Sequence, residues 1–391
     1  MRTFPPCLSR PSCLSCLAGL VVVAACSKDP LSVSRRYLSS GDEYARDGKY
    51  KEASIEYRNA QKAAPKSAAP HLRLGELAIQ TRDGETASDE YLLAANLEPQ
   101  NAVAQVRAAS VHLMAGRFAE ARTHAEAAIR LAPDNADAHI ALGEALAALH
   151  DPAQSEPHLL QAAKLAPKST DAQGALGSLY WSLGRLPEAE KALLRAVELA
   201  PDQAAGQRRL ASFYLETHRN AEAERPLAAL IAIEPQNVPA ILQRAQVLAF
   251  QGRTDEALAA VDGANRIEPD APRVMLARAF VLLRQKRVDD GIWWAMRARE
   301  RHPDDFAPPL RIALAQILEA GGRRKAAEQE YAAVLKTAPR NWVAANNLAV
   351  LYAADGRFAD AEKLARIASA EAPERPEVRD TLELIARRKG G

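Results

Sequence analysis

The sequence predicts an all-α solenoid, a row of helix-turn-helix units in which each unit leans on the next. Three observations predict it. Ten prolines (Pro65, Pro99, Pro133, Pro167, Pro201, Pro235, Pro269, Pro303, Pro339 and Pro373) recur with eight gaps of 34 residues and one of 36. A small residue stands 24 positions before every one of them, and another 12 before. A glycine stands 17 positions before six of the ten. A period of this length marks a stacked array rather than one globular core.

Each element of the unit follows from its residues. The first small slot holds Gly41, Gly75, Ala109, Gly143, Gly177, Ala211, Ala245, Ala279, Ala315 and Ala349. The second holds Ala53, Ala87, Ala121, Ser155, Ala189, Ala223, Ala257, Gly291, Ala327 and Ala361. Small residues in mid-helix mark places where two helix axes come close. Between them Gly48, Gly116, Gly184, Gly252, Gly322 and Gly356 fit the left-handed position that caps a first helix. The proline lacks an N–H and ends the second helix. Leu74, Leu142, Leu176, Leu210, Leu314 and Leu348 precede the first slot, and Tyr44, Leu146, Tyr180, Tyr214, Leu248, Leu282, Leu318 and Tyr352 follow it by three, which is one apolar helix face. A single pair of helices is too small to hide that face, so neighbouring units hide it for each other.

The pattern resembles the tetratricopeptide repeat (TPR) family, and 170–203 shows it well in Leu176, Gly177, Tyr180, Gly184, Ala189, Leu193, Ala196 and Pro201. The units fall at 34–67, 68–101, 102–135, 136–169, 170–203, 204–237, 238–271, 272–305, 306–341 and 342–375, with a capping helix at 376–391. Local departures are Arg82 in place of Gly, Pro152 and Pro157 near one second helix, and two extra residues within 304–309 that suggest a loosened joint. The resemblance implies a right-handed superhelix whose first helices line a concave, peptide-binding face. Carried over by slot, that lining is Leu113, Met114, Trp181, Arg208, Leu215, Leu242, Phe250, Phe280, Leu283, Arg284, Gln316 and Asn346. Trp, Phe and Arg on an apolar stripe are typical of binding hot spots. The Lys/Asn/Arg set with which some TPR proteins clamp a terminal carboxylate is not seen.

Residues 1–25 stand outside the array. Arg2 and Arg10 precede an apolar run at 17–25 that is too short to span a bilayer. Val23-Ala24-Ala25-Cys26 resembles a bacterial lipobox, which implies a cleaved signal peptide, a lipid on Cys26 and a short linker at 26–33. Ser27, where aspartate would favour inner-membrane retention, points to the outer membrane facing the periplasm. Cys7, Cys13 and Cys16 would leave with the signal, so neither a disulfide nor a cysteine metal site is expected.

Without Arg2 and Arg10 the charges balance at 49 of each sign, which argues against nucleic-acid binding. Their distribution is uneven: 68–271 carries 18 basic and 27 acidic residues, and 272–341 carries 14 and 8. Arg273, Arg278, Arg284, Lys286, Arg287, Arg297, Arg299 and Arg301 crowd one repeat. They read either as a patch for an acidic partner or anionic polysaccharide, or as ordinary solvated helix faces. Trp293 and Trp294 lie about 100° apart on one helix, so one faces inward and the other outward.

No catalytic, phosphate-binding, calcium or zinc motif is present. Neither an enzyme activity nor a cofactor or metal is expected. The eight histidines read as packed or surface residues, with His150 and His218 in the turn slot, and Asp289-Asp290 and Asp304-Asp305 as helix caps. The expected function is a membrane-anchored scaffold for protein–protein interaction that supports an envelope, secretion or pilus-type assembly. The opening repeat also resembles TPR lipoproteins of exopolysaccharide-export and protein-sorting loci, so the alternative is an accessory lipoprotein whose basic repeats meet an anionic polymer.

Overall fold

The computed structural model describes residues 29–303 and 306–389. Cys26, the segment 1–25 and the Asp304-Asp305 pair lie outside the described residues. All regular structure among the described residues is helical. The chain divides into two compact units, 1–133 and 134–391.

The first unit contains α1 (Pro30–Arg46), α2 (Tyr50–Ala63), α3 (Ala68–Gln80), α4 (Gly84–Leu97), α5 (Ala102–Met114) and α6 (Phe118–Leu131). The second contains α7 (Ala136–Ala148), α8 (Pro152–Leu165), α9 (Thr170–Ser182), α10 (Leu186–Leu199), α11 (Ala204–Glu216), α12 (Asn220–Ile233), α13 (Val238–Phe250) and α14 (Thr254–Ile267). It continues with α15 (Pro272–Arg284), α16 (Val288–Arg301), α17 (Pro308–Ala320), α18 (Arg324–Thr337), α19 (Trp342–Ala354), α20 (Phe358–Glu371) and α21 (Pro376–Lys389). Odd and even helices pair in order, and each pair packs on the next within its unit.

The small slots are where the axes approach. All twenty positions are buried. A Cβ added to Gly177 would lie 2.7 Å from Leu193 Cδ2 and 3.3 Å from the Ala189 carbonyl oxygen. At Gly75 it would lie 2.5 Å from the Tyr91 ring. Ser155 fits its slot because its Oγ donates 2.7 Å to the Gly143 carbonyl, so the hydroxyl is satisfied without water.

The turn slot is left-handed in every repeat. The six glycines have φ of 70–79°. Arg82 (62°), His150 (60°), His218 (59°) and Lys286 (64°) hold the same conformation without being glycine. The repeated turn imposes αL geometry at this slot whatever residue occupies it, at a cost of about 1–2 kcal/mol for a residue with a Cβ.

In the second unit a charged rung ties successive pairs together. The arginine at the start of an even helix reaches back to a glutamate on the preceding even helix. The pairs are Arg185–Glu156 at 3.0 Å, Arg219–Glu190 at 2.6 Å, Arg253–Glu224 at 2.8 Å and Arg357–Glu328 at 2.8 Å. Three of these guanidinium groups also cover a tyrosine ring: Arg185 on Tyr180, Arg219 on Tyr214 and Arg357 on Tyr352. The equivalent partners of Arg287 and Arg323 are Leu258 and Trp294, so no rung of this kind forms on either side of repeat eight.

The described part of the 304–309 joint is packed. Phe306 is buried in a cluster with Met275, Leu314 and Tyr331, and its carbonyl accepts from Arg311 Nε at 3.0 Å. Two expectations change in detail. Asp289 and Asp290 sit inside the first turn of α16 instead of capping it, and Asp290 pairs with Arg287. Pro157 lies within α8, which runs on through it.

Opposite shifts are expected at the two kinds of slot. Gly177→Leu should lower unfolding free energy by about 1–3 kcal/mol through overpacking. Arg82→Gly or Lys286→Gly should raise it by roughly 0.5–1 kcal/mol by relieving αL strain. Chemical denaturation measures both, and a neutral Gly177→Leu would refute the close crossing. The rungs predict a pH effect. The Arg219 hydrogen bond holds the Glu190 carboxyl below its ordinary range. A depressed folded-state pKa gives stability that is present above the unfolded value, near 4.5, and is lost as pH falls through the folded one. Glu190→Gln should therefore flatten the acid limb of the stability–pH curve below about pH 5, as followed by circular dichroism.

Candidate partner-binding groove

The odd helices α13, α15 and α17 present equivalent positions to a groove of about 770 Å³. Its floor is apolar: Ala245, Leu276 and Ile317 are buried beneath half-buried Leu242, Phe280, Leu283 and Leu310. Ala277 and Ala313 leave depth between the larger side chains. The Phe250 and Phe280 rings meet edge-on with centroids 5.3 Å apart. Exposed amides of Gln243, Gln246 and Gln316 stand among them.

The charged residues of the lining are Arg273 and Arg284, with no carboxylate. Arg273 Nε donates to Glu268 at 2.7 Å, so its charge is already met. Arg284 lies over the Phe250 ring at 5.4 Å, and its Nε donates to the Ala249 carbonyl at 3.5 Å. Such a surface can grip apolar side chains, hydrogen-bond a peptide backbone through the amides and attract an anion.

Six of the sequence-predicted residues come together here: Leu242, Phe250, Phe280, Leu283, Arg284 and Gln316. The others do not join them. Trp181 and Leu215 pack on the cluster around Phe213, with Trp181 edge-on to the Phe213 ring at 5.7 Å. Arg208 is exposed and pairs with Glu234 at 3.0 Å. Leu113 and Met114 end α5 in the first unit, where Met114 is 72% exposed. Asn346 is the clear correction: it is 5% exposed, and its Oδ1 is buried without a hydrogen-bond partner. α19 packs against α18, α20 and α21, which leaves this position inside the array. Sequence reasoning missed Arg273, Gln243, Gln246 and Leu310. Gln246 was available from the period, since it occupies the position of Phe280 and Gln316, and Gln243 is adjacent to Leu242; Arg273 and Leu310 lie nearer the helix starts, at positions the period did not mark.

The basic cluster is mostly neutralised. Arg273, Arg278, Arg287, Arg299 and Arg301 each contact a carboxylate: Glu268, Asp262, Asp290, Glu330 and Asp270 respectively. Arg297 lies over the Trp293 ring at 4.9 Å. Trp293 is 51% exposed, whereas Trp294 packs on the core, so the neighbouring tryptophans do divide between outside and inside.

His71, His112 and His124 serve packing, whereas His150 and His218 stand in the turn slot. His71 bonds Glu90 at 2.6 Å, and His124 bonds Gln105 at 2.7 Å and stacks on His112. Burial pushes the imidazoles of His112 and His124 below their ordinary range, which keeps them neutral. Among the described residues no group of three or more His, Cys, Asp or Glu could hold a metal ion, and no helix is long and apolar enough to cross a membrane.

No curated protein matches the chain. In structure it is similar to a monomeric IFIT1 mutant with m7Gppp-AAAA, at a TM-score of 0.53 and 14% identity, over 85% of this chain and 80% of that one. It is also similar to pilF of Pseudomonas aeruginosa (TM-score 0.44, 17% identity, 52% and 93% covered) and to the TPR domain of P58(IPK) (0.36, 14%, 91% and 98%). At 14% identity the first likeness is one of fold. Tetratricopeptide repeat models match residues 106–170, 140–204 and 175–238 in one case and 214–279 and 318–385 in another, together more than half of the chain. The chain therefore belongs to the tetratricopeptide repeat family.

Proposed function

We propose that the chain is a non-catalytic scaffold that captures a protein or peptide segment in the α13–α15–α17 groove. The observation that carries this is the gathering of Phe250, Phe280, Leu242, Leu283 and exposed amides on three successive odd helices. An apolar floor rimmed by hydrogen-bonding groups suits a peptide, whose side chains and backbone need both. The apparent charge patch supports the anionic-polymer alternative poorly, because five of its arginines already sit on carboxylates.

We further propose that Cys26 carries lipid, which places the scaffold on the periplasmic face of the outer membrane to support assembly of an envelope or pilus-type complex. The support is the Val23-Ala24-Ala25-Cys26 sequence followed by Ser27. Confinement to a membrane plane raises the effective concentration of the groove near membrane partners.

A photo-crosslinking residue at position 250, with a matched one at 293 on the even helix α16, tests the groove in cells that also receive labelled palmitate. The expected outcome is a discrete protein adduct at 250 and none shared with 293, together with label on the wild type that Cys26→Ala abolishes. Adducts at 293 alone would refute the groove, and label that survives Cys26→Ala would refute the anchor.

A further inference from the structure

Among the described residues the groove holds one charge that no carboxylate answers, and that charge defines what the groove takes. We infer that Arg284 is a specificity residue that selects an internal peptide segment carrying an aspartate or glutamate beside a large apolar side chain; this rests on the groove being the partner site.

Arg284 differs from the arginines around it. Arg273, Arg278, Arg287, Arg299 and Arg301 each meet a carboxylate. Arg284 meets none among the described residues. Its guanidinium rests over the Phe250 ring, and its Nε is engaged by the Ala249 carbonyl. Stacking and the Nε hydrogen bond fix the plane of the group and leave its two terminal amino groups for a ligand. A carboxylate can accept from both at once, which is the strong, directional form of this contact.

The surroundings set the rest of the ligand. Phe280 lies one helical turn before Arg284, about 6 Å along the axis. Phe280, Leu242 and Leu310 surround the space opened by Ala277 and Ala313. An anion at Arg284 and an apolar side chain over Phe280 are thus about 6–7 Å apart, the spacing of alternate residues on one face of an extended strand. With no carboxylate in the lining, an acidic ligand meets attraction and a basic one meets only repulsion. Apolar lining extends away from Arg284 through Ala277, Leu310 and Ala313, so a segment that runs past the arginine covers more of it than a chain end stopping there.

Panning random internal peptides of about twelve residues, displayed on phage, against the purified full chain tests this. Enriched sequences are then made as C-terminally amidated peptides and titrated by fluorescence anisotropy. The expected result is enrichment of Asp or Glu two positions from Leu, Phe or Trp. Arg284→Gln should weaken binding about tenfold. A Glu→Gln peptide should lose the same factor on wild type and nothing more on Arg284→Gln. Arg297→Gln, outside the groove, should change nothing. Arg284 is exposed, so thermal unfolding of its variant should match wild type. Peptides that lack an acid, bind Arg284→Gln equally well, or bind only with a free terminal carboxylate would overturn the inference. If those same peptides lose affinity with Phe280→Ala, the groove itself survives. Peptides insensitive to both substitutions, or no enrichment at all, overturn the groove as well.

Discussion

The fold depends on how closely two helix axes can approach within a pair. At Gly143 and Gly177 the space a methyl group would need is already filled by Leu159 and Leu193. At Gly75 the ring of Tyr91 fills it. Where Ala109, Ala279 and Ala349 occupy the same slot, the facing residue sixteen positions on is alanine, whereas Ala211, Ala245 and Ala315 face Leu227, Val261 and Tyr331. At least one partner is therefore small at each of these crossings, and the pair stays close-packed. A repeat array has no distant contacts to compensate a bad crossing, because each unit is held only by its neighbours.

Two further devices set the geometry between crossings. The left-handed turn fixes the angle at which an even helix returns, and it holds for Arg82, His150, His218 and Lys286 as well as for glycine. Packing of the flanking helices therefore outweighs the local backbone preference of those residues. The arginine rungs then tie one pair to the next. Being partly exposed, they contribute less to stability than to the register in which pairs stack. Repeat eight lacks them on both sides; there Trp294 and Phe306 share one core cluster, and Arg299 reaches Glu330 of the next repeat. The groove lies across this differently tied repeat.

The polar groups fall into two classes. Most are consumed by the fold: Ser155, His71, Glu330 and the rung arginines each have a partner that explains them. The terminal amino groups of Arg284 and the amides of the groove glutamines are not used in this way, and they stand beside apolar side chains that are also incompletely covered. Residues whose chemistry the fold leaves unused are the ones a partner can use. This links the packing of the array to the recognition proposed for the groove.

The sequence by itself determined the helix pairs, their turns, the crossings and the apolar face, because each is written as a short-range pattern repeated ten times. Six groove residues were legible for the same reason, since equivalent helix positions repeat with the period. Tertiary structure decided what periodicity cannot encode. It buried Asn346, turned Trp181 edge-on to Phe213, placed Phe306 in the core and gave Arg278, Arg299 and Arg301 carboxylate partners on other helices. These outcomes depend on which side chains the neighbouring helices bring to the spot. Whether a charge is spent or free is a property of that neighbour and not of the residue's own slot.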